Sequence, residues 1–315
     1  MKTLVMGGTQ FVSQEIAKYF IARGHQVSIF TRGKRPVNYK GVHKHYIGDR
    51  SSNKDIKQIS KDEFDYVIDI SAYEPSDVSI LLQNLKTTCL KRYLFCSTGG
   101  VYVPSQNILS EESPKGENIL VGNYGVNKYQ TEQVLYYERL KKDLPITIIR
   151  PTYIYGPGNN LYREAYFFDA LLNGKKIPLP NSHSRIQFIY IEDLLKFVES
   201  ALASQKAIGK VYNITHPKTY SFKEIVLQHG KLLSSKASFE IVNTSKVDVI
   251  KYFPYLDMHY ELSINQLIED KLYIPKCDLE DGLKEAFEWY ISNDNSEYES
   301  RKIAIEKEVQ LLLKA

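Results

Sequence analysis

The stretch Thr3-Leu4-Val5-Met6-Gly7-Gly8-Thr9-Gln10-Phe11-Val12-Ser13 decides the fold: an apolar run breaks on two glycines and gives way to helical periodicity. Four consecutive apolar or β-branched residues ending on glycine read as a strand of a parallel sheet buried on both faces. Phe11, Val12, Ile16, Phe20 and Ile21 then recur at helical spacing. Gly24 closes that helix, and Val27-Ile29-Phe30 begins the next strand. The result is a βαβ unit, whose turn places free helix N–H groups where a pyrophosphate would meet them.

Further strands are expected at Tyr66–Ile70, Tyr93–Cys96 and Ile146–Ile149, with helices near Ile80–Leu85 and Gln130–Leu140. This alternation predicts an α/β fold, a doubly wound parallel (Rossmann) sheet. Past Pro151 the loop Gly156-Pro157-Gly158-Asn159-Asn160 interrupts it. Phe188–Ile191, followed by a helix over 192–203, is expected to return to the sheet. Residues 1–160 with about 186–214 are therefore assigned to a dinucleotide-binding domain, and 161–185 with 215–315 to a smaller mixed α/β substrate domain. Ser221 and Glu224 form a capping box, Asp278 can cap a helix running to Tyr290, and the charged segment from Ser296 carries a packing stripe of Ile305, Val309, Leu312 and Leu313.

The 315 residues can bury a full core, and 43% hydrophobic with 25% charged residues excludes disordered and coiled-coil classes. A net charge of +4 is too mild for bulk attraction to nucleic acid or membrane. Cys89, Cys96 and Cys277 form no CxxC pair. With no apolar run of about 18 residues and no signal segment, a cytoplasmic protein is expected. His43 and His45 alternate along one candidate strand, and no metal site is expected.

In the first turn, Gly7, Thr9, Gln10, Phe11 and Val12 are the candidate cofactor-binding residues. Ser13 is small enough to keep helix and strand close, whereas Gln10 brings a side chain where backbone should approach phosphate. The segment from Ile16 to Gly48 contains no Asp or Glu, and its second strand ends in Thr31-Arg32-Gly33-Lys34-Arg35. An acid there would hold a free ribose 2′-OH, but arginine suits a 2′-phosphate. NADP(H) is therefore expected ahead of NAD(H), with Thr31, Arg32 and Lys34 in contact and Arg35 accessory. Asp49 is placed to accept from the adenine amino group.

Tyr124 and Lys128 lie at i and i+4, on one helix face. A nearby cation lowers a phenol's pKa toward use as an acid/base, and Lys128 can also hold the cofactor ribose. Ser97-Thr98 ends a strand where ligands of open α/β sheets bind. Asn160, Arg163 and Tyr166, at and beyond the glycine loop, are candidates for the substrate pocket.

In this order the motifs resemble the extended short-chain dehydrogenase/reductase family, in its epimerase/dehydratase branch working on nucleotide sugars. Tyr153-Ile154-Tyr155-Gly156-Pro157, Phe188–Leu194 and the Pro275…Trp289-Tyr290 ending carry the likeness across nearly the whole chain. The resemblance implies Thr98 bonding the reacting hydroxyl, Tyr124 as acid/base with Lys128 as partner, and a homodimer built on the helix carrying them. Family dehydratases carry Asp-Glu where this chain has Gly99-Gly100, which disfavours dehydration. The arginine that clamps a nucleotide-sugar phosphate is replaced by Ile186-Gln187, with Arg185 one residue earlier. The expected activity is thus an epimerase or reductase of a nucleotide-linked or related sugar. The Gly-Gly-Thr-x-Phe-Val turn also resembles a divergent branch containing chloroplast stem-loop RNA-binding proteins. This leaves a rival: a non-catalytic RNA-binding or cofactor-sensing protein using the seven Lys/Arg between Lys18 and Lys44.

Overall fold

The computed structural model describes residues 1–243 and 247–313. Six strands of the expected sheet follow in chain order: β1 (Lys2–Met6), β2 (Gln26–Thr31), β3 (Lys44–Ile47), β4 (Tyr66–Asp69), β5 (Arg92–Cys96) and β6 (Ile146–Pro151). Between them run α1 (Phe11–Ala22), α2 (Asn53–Ile56), α3 (Pro75–Asn84) and α4 (Asn123–Lys142). Pro75 at the first position of α3 and a reciprocal Glu74/Asp77 box start that helix well before Ile80.

β7 (Tyr153–Tyr155), α5 (Glu164–Leu172), β8 (Ile177–Pro180), β9 (Arg185–Ile186), β10 (Phe188–Tyr190), α6 (Ile191–Ala203) and β11 (Val211–Ile214) follow. Last come β12 (Tyr220–Ser221), α7 (Phe222–Leu232), β13 (Phe239–Val242), α8 (Asn265–Glu269), α9 (Leu279–Ser292) and α10 (Glu299–Leu312). The central sheet has the order β11-β6-β5-β4-β1-β2-β3, and every pairing in it is parallel.

Alternation along the strands divides the core between the two faces. Leu4, Met6, Tyr93 and Phe95 pack with Val78, Leu81 and Leu135 of α3 and α4. Val5, Ile29 and Leu94 face the opposite layer, with Ile16 and Phe20 of α1 and Leu194 and Val198 of α6. Each such side chain, fully buried, contributes roughly 1.5–3 kcal/mol.

One expectation is corrected. Phe188–Tyr190 does not return to the central sheet but pairs with Tyr153–Tyr155 in a separate two-stranded unit. The seventh central strand is Val211–Ile214, beside β6. α6 nevertheless reaches the expected layer, where Tyr19 of α1 and Arg23 just past its end donate to Glu199 at 2.7 and 2.6 Å.

The Ser221/Glu224 capping box and the Asp278 cap form as expected. On α10, Ile305 is fully buried, and Val309 and Leu312 pack against the core. No helix among the described residues is long and apolar enough to cross a membrane.

Candidate active site

Two clefts open at the carboxyl ends of the central strands. The first, of about 480 Å³, is lined by Gly7, Thr9, Gln10, Phe11, Val12, Thr31, Arg32 and Asp49 of the expected cofactor set. Gly7 has φ +111°, and a Cβ there would lie 2.7 Å from the Cβ of Ser13, so both residues must be small for β1 and α1 to close together. No side chain caps α1. Its first N–H groups are left for a ligand, an arrangement that fits a dinucleotide pyrophosphate.

Asp49 accepts from the N–H and hydroxyl of Ser51 at 2.9 and 2.7 Å, bonds that hold its pKa below the ordinary value. Lys34 is not in the lining, and Arg35 turns away to Glu297 at 3.4 Å. His45 pairs with the hydroxyl of Thr31 at 2.7 Å.

The second cleft, of about 470 Å³, brings together Thr98, Tyr124, Lys128, Asn160 and Arg163. Phe11, Val12, Ile70, Tyr73 and Asn160 line both clefts. Arg185 lines neither: its guanidinium bonds the hydroxyl and carbonyl of Thr219 at 2.8 and 2.9 Å and pairs with Glu224 at 3.2 Å. Tyr166 faces the groove under α10 instead.

Lys128 is 2% exposed, and its Nζ donates to the carbonyls of Ala72 and Cys96 at 2.7 and 2.6 Å. Burial lowers its pKa. Tyr124 departs from the expectation, because burial within the cleft raises the phenol's pKa. The influences pulling it down are hydrogen bonding with Thr98 and the charge of Arg163, and these do not outweigh desolvation. The residue as a whole remains 42% exposed because its ring forms part of the cleft wall, beside Tyr73 at 5.9 Å.

The helix that carries this pair is fixed from behind. Arg150 of β6 donates to both carboxylate oxygens of Glu132 on α4, at 3.0 and 2.6 Å, and also to the hydroxyl of Tyr102 at 2.8 Å. The Arg150-Pro151 motif is thus a scaffold element.

Two residues escape a reading of the sequence. Arg50 forms a fork on Asp69 at 2.8 and 2.9 Å and reaches Ser71 at 2.7 Å. Burial would raise the pKa of Asp69, but Arg50 holds it down. Asp69 in turn accepts from the N–H of Ala72 at 3.1 Å, and the carbonyl of Ala72 receives Lys128. The position of Arg50 directly after Gly48-Asp49 was the available signal. Tyr260 reaches the second cleft from a distant part of the chain and lines it together with Thr98 and Tyr124. Nothing local marks it.

Known proteins share this fold. The chain is 31% identical over 312 residues to the chloroplast stem-loop binding protein of 41 kDa b of Arabidopsis thaliana, covering 91% of this chain and 78% of the relative. In fold it is similar to the UDP-glucose 4-epimerase of Thermotoga maritima solved with UDP-glucose, with a TM-score of 0.78, 19% identity and coverage of 93% and 99% of the two chains. It is also similar to the dTDP-glucose 4,6-dehydratase of Bacillus anthracis solved with NAD, with a TM-score of 0.77, 19% identity and coverage of 93% and 97%. The profile of the NAD dependent epimerase/dehydratase family matches residues 3–215, and with the Gly7 turn, the parallel sheet and the Tyr124/Lys128 pair in place the chain belongs to that family.

Proposed function

We propose that the protein is an NAD(P)-dependent epimerase or reductase of the short-chain dehydrogenase type, acting at a carbinol or keto carbon of a nucleotide-linked or related sugar. The observation that carries this reading is the meeting of Thr98, Tyr124 and Lys128 in one cleft that shares a wall with the cavity at the N-terminus of α1. In this reading Gly7, Thr9, Gln10, Phe11 and Val12 hold the pyrophosphate, Asp49 the adenine, and Thr31 and Arg32 a ribose 2′-phosphate, favouring NADP(H). A nicotinamide bound there supplies the hydride acceptor or donor. Thr98 hydrogen-bonds the substrate hydroxyl, and Tyr124 takes or returns its proton. Two N–H bonds of Lys128 are anchored on carbonyls, which leaves the third for a ribose hydroxyl.

Three free thiols support a reducing, cytoplasmic setting. The exposed face of α4, with Tyr136, Tyr137 and Leu140 56, 61 and 65% exposed, supports a homodimer. The test is to load the purified protein with NADP or NAD and follow reduced-nicotinamide absorbance with sugars and keto sugars. Turnover abolished by Tyr124→Phe supports the reading, and failure to take up either cofactor overturns it.

A second reading, RNA binding with little catalysis, is favoured by the name of the Arabidopsis relative. Salt-sensitive binding to a stem-loop RNA with no cofactor uptake would establish it in place of the first.

A further inference from the structure

Granted the enzymatic reading above, one polar residue of the second cleft is still without a role. Tyr260 lines that cleft with Thr98 and Tyr124, and does not line the first. It is buried, with its ring edge-on to Tyr153 and the two centroids 5.8 Å apart. Its hydroxyl fills the space beside Gly99, where any side chain would collide with it. Gly99 follows Thr98 directly, and neighbouring Cα atoms are about 3.8 Å apart. The phenol thus ends one residue along from the hydroxyl that meets the reacting carbinol, about the separation of oxygens on adjoining carbons of a sugar.

The backbone that delivers Tyr260 is tied on both edges. Its N–H donates to the carbonyl of Arg185 at 2.8 Å. On the other edge the N–H of Leu109 donates to the carbonyl of Glu261, and the carbonyl of Leu109 accepts from Ser263, both at 2.9 Å. The buried side chain of Gln187 accepts from the N–H of Leu262 at 2.7 Å and donates to the carbonyl of Pro217 at 3.1 Å. A phenol held in this way meets a ligand at little ordering cost. Burial raises its pKa well above the ordinary value, so the proton stays on. Tyr260 is a fixed donor and not a base.

We propose that Tyr260 is a specificity-determining residue, whose hydroxyl donates to the sugar oxygen on the carbon next to the reacting one. Thr98 and Tyr124 hold the carbinol, and Tyr260 fixes how the ring is turned about it, so the cleft selects sugars that carry an oxygen at that neighbouring position. A contact away from the reacting atoms is made equally in ground and transition state and acts on KM more than on kcat.

The test uses the cofactor-loaded full chain, supplied with UDP-glucose, UDP-galactose, UDP-glucuronic acid and dTDP-glucose, and carries forward the one turned over fastest. Tyr260→Phe removes one oxygen and keeps the ring. It should raise KM about tenfold and change kcat by less than about threefold, with cofactor affinity as in wild type. Deoxy analogues of the same substrate, each lacking an oxygen beside the reacting carbon, complete a cycle: one of them should lose about tenfold in kcat/KM on wild type and nothing further on Tyr260→Phe. Gly99→Ala, which forces the same hydroxyl aside, should also raise KM, and it decides the matter if Tyr260→Phe does not fold. An unchanged KM, or losses that add for every analogue, overturns the proposal. A chain that takes up no dinucleotide, or that turns over none of the four sugars when loaded, overturns the enzymatic reading itself, whereas turnover indifferent to Tyr260→Phe overturns only this inference.

Discussion

The hydroxyl of Tyr260 occupies the space into which a side chain at Gly99 would have to grow. Leu262 closes the same space, 2.8 Å from a Cβ built at that position. Gly99→Ala is expected to cost about 1–3 kcal/mol through overpacking. In a Tyr260→Ala background the cost should fall, because the cavity accepts the methyl group. A double-mutant cycle in urea tests the coupling, and additive effects would show that the two residues do not compete for space.

Arg32 lines the first cleft from the end of β2, in an acid-free arc. Arg32→Ala should weaken NADP(H) by about 10- to 100-fold and NAD(H) by no more than about threefold, since only the former presents a 2′-phosphate. Fluorescence titration with both reduced cofactors checks this. Equal losses would place Arg32 on the pyrophosphate or out of contact.

The chain of contacts from Arg50 through Asp69 to Ala72 and Lys128 predicts a joint effect on stability and rate. Arg50→Met leaves Asp69, which is fully buried, without its partner and should cost about 3–5 kcal/mol. Under conditions where the variant remains folded, turnover should fall by roughly tenfold or more while cofactor affinity changes less, because Lys128 loses its fixed carbonyl. Full activity in folded Arg50→Met would mean that Ala72 is held by other contacts.

Glu164 opens α5 and is buried, with one carboxylate oxygen accepting from Asn159 at 2.7 Å and the other unpartnered. Burial raises its pKa from 4.5 to about 7, against the pull of Asn159 and Arg163. The folded state therefore binds this proton more tightly than the unfolded chain, and stability is lost as pH rises from about 4.5 through about 7. The loss is on the order of 3 kcal/mol. His229, whose pKa burial lowers to about 4, works in the opposite direction as pH falls below its ordinary value of 6.5. Comparing unfolding of wild type and Glu164→Gln from pH 5 to 8 isolates the carboxyl group. The variant should gain relative stability toward pH 8, and parallel curves would contradict the assignment.

The parts legible in the sequence are those whose physics is local. The β1 turn follows from an apolar run and two glycines, and the i, i+4 placement of Tyr124 and Lys128 follows from helix geometry. The caps at Ser221 and Asp278 are written within four residues. Phe188–Tyr190 is as apolar as a central strand, and only the arrival of Tyr153–Tyr155 beside it, beyond Pro151, decides its partner. Arg185 had the composition of a substrate clamp, but Thr219 and Glu224 meet it first. The raised pKa of Tyr124 depends on desolvation in a cleft whose lining comes from distant parts of the chain, Tyr260 among it. No spacing rule encodes that assembly.

Phe11, Val12, Ile70, Tyr73 and Asn160 form a wall common to both clefts. Whatever fills the first cavity therefore becomes part of the surface of the second. In kinetic terms this favours an ordered mechanism, in which dinucleotide enters first and completes the chamber for the sugar. Dead-end inhibitors of the first cleft would then be competitive with the cofactor and noncompetitive with the sugar.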